Sequence, residues 1–567
     1  MPMLTLETRP QWRTLLDSAT LLVPDERPAI IYLETDKAPV TVTRSQFMGE
    51  VIRCAAALQT VGIGARDLVI IAHIQNLESI YGFWGALWLG AVPSMFPTLT
   101  EKLDPDHYMQ SMAELTRRSE AKAVLTTDTF APELAKRCAC PVYGTSDWLP
   151  DRDEQSETTN MMLRRPKPGE IAFLQHSSGT TGLQKGVALS HQAVLNQLAS
   201  YASALELSEK DVIVSWLPLY HDMGLIAGFI QPILQGIPLV LMSPFDWVQH
   251  PALLLRAIHE YRATLCWLPN FAYNHLARRV RVRDSEGLDL SSVRAFINCS
   301  EPVRQGSHQL FLERFAANSV TANQLAVSYA MAENTFAVTQ SLVGEIANTD
   351  MIDLEALQRD LRAASVAADA PHAAPQVSCG KPIANTMVKI IGDQGEVLPE
   401  RSVGEVLVKS DCMLTGYYHR PDLQPFDAEG WYKTGDRGYI ADGEIYIVGR
   451  SKDLIITAGK NIYSQDIEAI IYEVEGIHPG RAVVFGVPDE REGTELIAIV
   501  AEVDVTDEAD RKVIYQALRQ QVVRAAEVSV SFVSLVERGW LIKTSSGKTA
   551  RTTNREKWLV ERADGRL

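Results

Sequence analysis

The chain has 567 residues, 46% of them hydrophobic and 22% charged, and a formal net charge of −16. Its length exceeds what one hydrophobic core serves and predicts two or more domains of ordinary globular composition. The acidic balance argues against nucleic acid or an anionic membrane surface as the main partner.

The N-terminus, Met1-Pro-Met-Leu-Thr-Leu-Glu-Thr-Arg9, has no basic segment followed by an apolar one, so no signal peptide is expected. Residues 44 to 140 alternate helical patterns (Ser45 to Val61, Asn76 to Gly90) with short apolar strands (Leu68 to Ile74, Ala123 to Thr126), the rhythm of a layered α/β domain. The seven cysteines, at 54, 138, 140, 266, 299, 379 and 412, lack metal-site or redox spacing and point to a reducing cytoplasm.

The apolar run Ile171-Ala-Phe-Leu-Gln175 predicts a buried strand, and Leu189 to Ser203 a helix. Between them lies Ser177-Ser-Gly-Thr-Thr-Gly-Leu-Gln-Lys-Gly186. Gly179, Gly182 and Gly186 let backbone approach a ligand closely, Ser177, Ser178, Thr180 and Thr181 add hydroxyl donors, and Lys185 adds positive charge. Such a segment alone is often a plain surface turn; here the density of donors predicts a polyphosphate cradle and hence ATP. It is not the P-loop spacing, because Gln184 stands where the second glycine belongs.

The stretch from Val212 to Met242 is apolar but interrupted by His221, Asp222, Gln231, Pro232, Gln235 and Pro238, so it reads as core or pocket wall and not as a membrane span. The α/β rhythm continues through Leu239 to Met242, Ala263 to Leu268 and Arg294 to Cys299. Residues 341 to 376 break it: alanine-rich and without strong apolar periodicity, they read as an exposed insertion with some helix. Val388 to Ile391, Gly404 to Val408 and Glu444 to Val448 predict strands of a smaller β-rich unit, with a hairpin turn at Ala441-Asp-Gly-Glu444. A boundary near Gly449-Arg-Ser-Lys452 divides the chain into 1–449 and a small α+β domain, 450–567.

Several further segments carry chemistry: Trp216-Leu-Pro-Leu-Tyr-His-Asp-Met-Gly224, Asn298-Cys-Ser-Glu-Pro-Val303, Ser328-Tyr-Ala-Met-Ala-Glu333, Gly430-Trp-Tyr-Lys-Thr-Gly-Asp-Arg-Gly438, Gly449-Arg-Ser-Lys-Asp453 and Lys543-Thr-Ser-Ser-Gly-Lys-Thr549. With the 177–186 loop and in this order, they resemble the motifs of the adenylate-forming superfamily, which comprises acyl-CoA synthetases, adenylation domains of peptide synthetases, fatty acyl-AMP ligases and luciferases. The resemblance spans nearly the whole chain. It implies an α/β fold: a large N-terminal adenylation domain of layered α/β subdomains plus a small β-barrel-like subdomain, and a small mobile α+β C-terminal lid.

The resemblance also implies roles. Ser177, Ser178, Gly179, Thr180, Thr181, Gly182 and Lys185 would hold the β- and γ-phosphates of ATP, with Mg²⁺ on Glu333 and Thr180. Ser300, Glu301 and Pro302 would flank adenine, Tyr329 would stack on it, and Asp436 assisted by Arg450 would take both ribose hydroxyls. His221 would stand where acyl pocket meets nucleotide, and Lys548 would bridge the attacking carboxylate and the α-phosphate. Lys452 falls on the hinge position. The segments Leu225 to Leu234 and Leu268 to His275 would line an acyl pocket, and their apolarity favours a hydrocarbon acid. Ala330 and Ala332 depart from the common Tyr-Gly-x-Thr-Glu text; Ala332 resembles the acyl-AMP ligase branch.

The implied reaction makes acyl-AMP and pyrophosphate, then passes the acyl group to a thiol. The place of the 341–376 insertion, together with Tyr220 to Gly224, Glu301 to Arg304 and Tyr463 to Glu468, resembles fatty acyl-AMP ligases and implies the phosphopantetheine thiol of an acyl carrier protein. His176 to Gly182 and Ala458 to Ile462 resemble CoA ligases, so an acyl-CoA synthetase is the alternative. An amino-acid adenylation domain, with Asp222 on an α-amine, and a catalytically silent nucleotide-binding paralogue are the remaining readings.

Overall fold

In a computed structural model the described residues are 3–18, 25–100, 105–149, 165–176, 185–457, 460–489, 494–526, 528–544 and 548–566. Two large sheets organise the first three quarters of the chain. One has nine strands in the order Lys381–Pro382, Ala337–Gln340, Leu325–Ala330, Ala295–Asn298, Leu265–Leu268, Ile213–Ser215, Leu239–Met242, Pro28–Leu33, Val40–Thr43. Its six central strands, from Leu325–Ala330 to Pro28–Leu33, run parallel. The other has seven strands, ordered Gly416–Tyr417, Gly186–Ser190, Ile171–His176, Val92–Met95, Leu68–Ile71, Ala123–Leu125, Val142–Tyr143.

Local chemistry explains the helices between these strands. Thr43 caps Arg44–Thr60 by accepting from the Gln46 amide, Asn76 caps Leu77–Trp88, and Ser190 caps His191–Ala204. The last two helices are buried on almost every face, and one continuous hydrophobic cluster joins them to strands of both sheets. Such all-round burial is what the interior helices of a layered α/β domain require.

The strand–loop–helix reading of residues 171–203 needs correction. Ile171–His176 is followed by a second strand, Gly186–Ser190, paired antiparallel with it so that His176 lies opposite Gly186. The run from Gly186 is apolar and leads straight into the capped helix, which hides the strand from helical periodicity.

The 341–376 segment is likewise not an exposed appendage. Thr349–Asp353 and Ala373–Val377 form a hairpin, with the helix Leu354–Asp360 between them. Ile352, Leu357 and Ala363 are buried with Val403, Tyr439, Ala441, Tyr446, Val448 and Tyr463. Buried Asp350 accepts from Arg401 at 2.8 Å and from the Tyr439 hydroxyl at 2.9 Å.

The smaller β unit is a four-stranded antiparallel sheet, Thr386–Ile391, Gly404–Ser410, Tyr432–Ala441 and Glu444–Arg450. Its last hairpin turns on Asp442 and Gly443, whose φ values of 54° and 74° are those of the two-residue turn that matches strand twist. Beyond the short turn Ser451–Asp453, a three-stranded sheet (Ala482–Asp489, Thr494–Glu502, Val530–Val536) and the helices Ser464–Ile471, Glu508–Ala526 and Arg551–Ala563 form an α+β unit. A separate apolar cluster, drawn from residues between Ile455 and Val530, lies within that unit. Among the described residues no helix is long and apolar enough to cross a membrane.

Candidate active site

Three groups of side chains from different elements converge where the parallel strands end. The first is set by strand register: Asp436 and Arg450 are directly paired on neighbouring strands. Arg450 Nε lies 3.0 Å from Asp436 Oδ1, and the Tyr329 hydroxyl donates to Oδ2 at 2.6 Å. Burial, then the Asp436 charge, pushes the Tyr329 phenol well above its ordinary value, so it stays protonated and donates. Each carboxylate oxygen keeps a lone pair, which leaves Asp436 able to accept two more hydroxyl donors side by side.

The second group surrounds Glu333, on the turn Ala332–Asn334. The Tyr417 hydroxyl donates to Glu333 Oε1 at 3.1 Å and stands 3.0 Å from the Tyr432 hydroxyl. Because Tyr417 pairs with Val187, its ring lies beside the start of the Gly186–Ser190 strand, and Lys185 Nζ sits 5.1 Å from the ring centroid. Burial raises the Glu333 carboxyl above the usual range, and hydrogen bonds from its own backbone amide and then from Tyr417 only partly offset this. A buried carboxylate whose donors do not outweigh its desolvation suits a hard cation that draws its other ligands from phosphate and water, as Mg²⁺ does. Tyr417 escapes sequence reasoning altogether; Tyr432 lies inside the 430–438 motif, but no role for it follows from the text.

The third group joins His221, Asp222, Ser300 and Lys548. His221 Nδ1 is 2.6 Å from Asp222 Oδ1, and Asp222 also accepts from the Met223 amide at 2.7 Å. Burial alone would raise the Asp222 carboxyl; His221, the Met223 amide and the Lys548 charge outweigh it and bring it below the usual range. Lys548 Nζ, from the C-terminal unit, donates to the Ser300 carbonyl at 2.8 Å. Ser300 holds the left-handed φ of 69°, which turns that carbonyl into the site. Glu301 accepts from the Phe271 amide at 2.9 Å, and Pro302 is exposed beside it.

The segment Met223–Ile230, which overlaps the expected pocket wall from Leu225, is a π-helix, and every residue of it is buried. Gly224 explains part of this: a Cβ there would sit 2.2 Å from the Pro218 carbonyl oxygen. Gly224→Ala is therefore expected to push the helix off the 216–222 segment and destabilise the fold by about 1–3 kcal/mol, read by thermal melting. Nearby, Trp216 and Trp247 stack with centroids 3.6 Å apart, and Phe271, 45% exposed, meets both edge-on. These rings give the 268–275 segment an aromatic wall.

Lys452 lies on the turn Ser451–Asp453, two residues past Arg450. Burial and then Arg450 lower its ammonium pKa. Ser177, Ser178, Gly179, Thr180, Thr181 and Gly182 lie outside the described residues. The site thus combines the carboxylates Asp222, Glu333 and Asp436 with the cations Lys185, Arg450 and Lys548. That equipment binds and orients a polyanion.

A family profile described as AMP-binding enzyme matches residues 20–418. The chain is similar to the long-chain-fatty-acid–AMP ligase of Mycolicibacterium smegmatis, 32% identical over 93% of this chain and 90% of the relative. It is also similar to the medium-chain-fatty-acid–acyl-carrier-protein ligase of Moorena producens, 30% identical over 97% and 96%. Among solved structures, one from a study of fatty acyl-adenylate ligases of E. coli and L. pneumophila superimposes with a TM-score of 0.88 at 26% identity, covering 98% of this chain and 99% of the other.

Proposed function

This chain belongs to the AMP-binding enzyme family, and from that premise we propose that it is a fatty acyl-AMP ligase of the cytoplasm. It activates a hydrophobic carboxylic acid with ATP and hands the acyl group to the phosphopantetheine thiol of an acyl carrier protein. The carrying observation is Lys548 Nζ on the Ser300 carbonyl: the C-terminal unit brings a cation to the group that holds His221 and Asp222. The relatives named as fatty-acid–AMP and acyl-carrier-protein ligases support the choice of acid and acceptor.

In the first step a carboxylate oxygen attacks the α-phosphorus; the new P–O bond gives acyl-AMP as the bond to pyrophosphate breaks. No protein nucleophile is needed, and rate comes from positioning and charge. Asp436 takes the ribose hydroxyls, Tyr329 offers its ring to adenine, Lys185 meets the outer phosphates, and Lys548 spans carboxylate and α-phosphate. When bound, Mg²⁺ neutralises phosphate charge, with Glu333 as its protein ligand and the Thr180 hydroxyl joining it. The thiol then attacks the acyl carbon, AMP leaves, and the thiol proton passes to solvent. For that step the unit beyond Lys452 turns and withdraws Lys548.

Two observations bear on the other readings. Asp222 is engaged by His221 and the Met223 amide, so its charge is not offered to the α-amine of an amino acid. The insertion touches both units: Asn461 donates to the Gln358 carbonyl at 2.9 Å, and Leu357 packs in the cluster that includes Tyr463. This favours a restrained C-terminal unit, and with it a carrier protein over CoA.

The test is incubation with ATP and short- to long-chain acids, resolving acyl-AMP from acyl-CoA with and without CoA. Acyl-AMP is the expected product, and rapid acyl-CoA formation would transfer the protein to the CoA synthetases. Because the insertion is part of a core, the informative variant is Leu357→Ala with Asn461→Ala and not a deletion. It is expected to raise acyl-CoA formation several-fold at unchanged adenylation, at a cost of about 2–4 kcal/mol in stability. Unchanged CoA use would remove the insertion from the acceptor choice.

A further inference from the structure

Three residues beyond Lys548, Arg551 opens the helix Arg551–Ala563 with its side chain turned inward. Nη1 lies 2.7 Å from Asp453 Oδ2, and Nη2 meets both Glu468 oxygens at 2.8 and 2.9 Å. Nε donates to the Val484 carbonyl at 2.9 Å, and the Val484 amide donates back to Glu468 at 3.0 Å. All three charged side chains are mostly buried, at 17%, 14% and 13% exposure. One guanidinium thus fastens four elements: the turn Ser451–Asp453, the helix Ser464–Ile471, the strand Ala482–Asp489 and the helix that follows the lysine.

Resting on the functional reading above, we propose that Arg551 is a positioning residue that ties the Lys548 segment to the turn at Asp453, so that lysine and turn move as one piece. The lysine's backbone is fixed from both sides. On one, the Thr544 amide donates to the Lys548 carbonyl at 2.7 Å and the Ala550 amide to the Ile542 carbonyl at 3.0 Å. On the other, Arg551 holds the chain two residues past Thr549. Asp453 directly follows Lys452, so any rotation at that turn is transmitted through a rigid, planar, multiply bonded group to the segment bearing the ammonium. A buried ion cluster is a poor device for stability, because well-packed apolar side chains serve as well. What the fork geometry of arginine adds is direction. The aliphatic core beginning at Ile455 already packs the unit without it.

The test is Asp453→Asn, which keeps the Arg551–Glu468 pair and cuts the charged tie to the turn. Adenylation by ATP–pyrophosphate exchange is expected to lose about tenfold in kcat, with KM for ATP and acid within about twofold. In a Lys548→Ala background the same substitution is expected to change the residual rate by less than about twofold, because its effect runs through the lysine. An unchanged rate in the single variant, or an equal loss in both backgrounds, would overturn the proposal. If Asp453→Asn melts early, Arg551→Lys takes the same test, since an ammonium reaches Glu468 without spanning to Asp453. The functional reading fails separately: it falls if Lys548→Ala itself leaves exchange intact.

Discussion

Lys548→Ala is expected to slow acyl-adenylate formation by about 1,000-fold, while transfer from supplied acyl-AMP to a carrier thiol stays within about twofold of the parent. Among the described residues, Arg450 is committed to Asp436 and Lys185 lies over the Tyr417 ring, whereas Lys548 meets only a backbone carbonyl. On the proposed reading, its charge is the one that follows the charge developing between carboxylate and α-phosphate. The Ser300 carbonyl holds the ammonium, and its charge adds to the larger effects of His221 and the Met223 amide in keeping the Asp222 carboxyl below the usual range. The second step does not need it, because AMP leaves a carbon centre already activated. Pyrophosphate exchange and single-turnover transfer from synthetic acyl-AMP separate the two; equal losses in both would mean that the substitution damages the unit and not one step.

Much of this arrangement is written locally, and the parts that are not share a cause. The turn at Asp442-Gly443 is legible because Asp-Gly between two apolar runs has few other uses. Asp436, Glu333 and Tyr329 stand in segments whose text is dense enough to mark a site. Arg551 and Tyr417 are not legible in this sense, and Asp453 and Glu468, though inside marked segments, show no role there, since each acts through a partner distant in sequence. A lone arginine opening a helix reads as a solvated charge until Glu468 and Asp453 are seen around it. The insertion escapes for a related reason: Ile352, Leu357 and Ala363 reach one core from a strand, a helix and a loop, so no single period exposes them. The Gly186–Ser190 strand and the π-helix at 223–230 are both apolar runs beside a helix, where periodicity alone does not separate the forms.

Glu333→Gln is expected to separate activity from stability: adenylation falls by about 100-fold, yet the melting temperature in the absence of nucleotide equals or exceeds that of the parent. The amide keeps an acceptor for the Tyr417 hydroxyl, which donates to Oε1 at 3.1 Å. What it removes is a charge that the fold tolerates poorly, since burial raises the Glu333 carboxyl and Asp222 adds to the shift. A carboxyl whose folded value lies above its unfolded value favours the folded chain while protonated. That contribution is complete below the unfolded value and is lost as pH rises through the folded one. Above the ordinary carboxylate range the parent therefore bears a cost that the variant does not. The difference in melting temperature should shrink as pH falls toward the ordinary carboxylate range and stay constant above the raised value. Thermal stabilisation by MgATP should move the opposite way, strong in the parent and weak in Glu333→Gln, because the charge that strains the empty fold is the one that meets the cation. Scanning fluorimetry across pH, with and without MgATP, measures both; a variant that melts lower at neutral pH would show that Glu333 serves the fold and not the phosphate site.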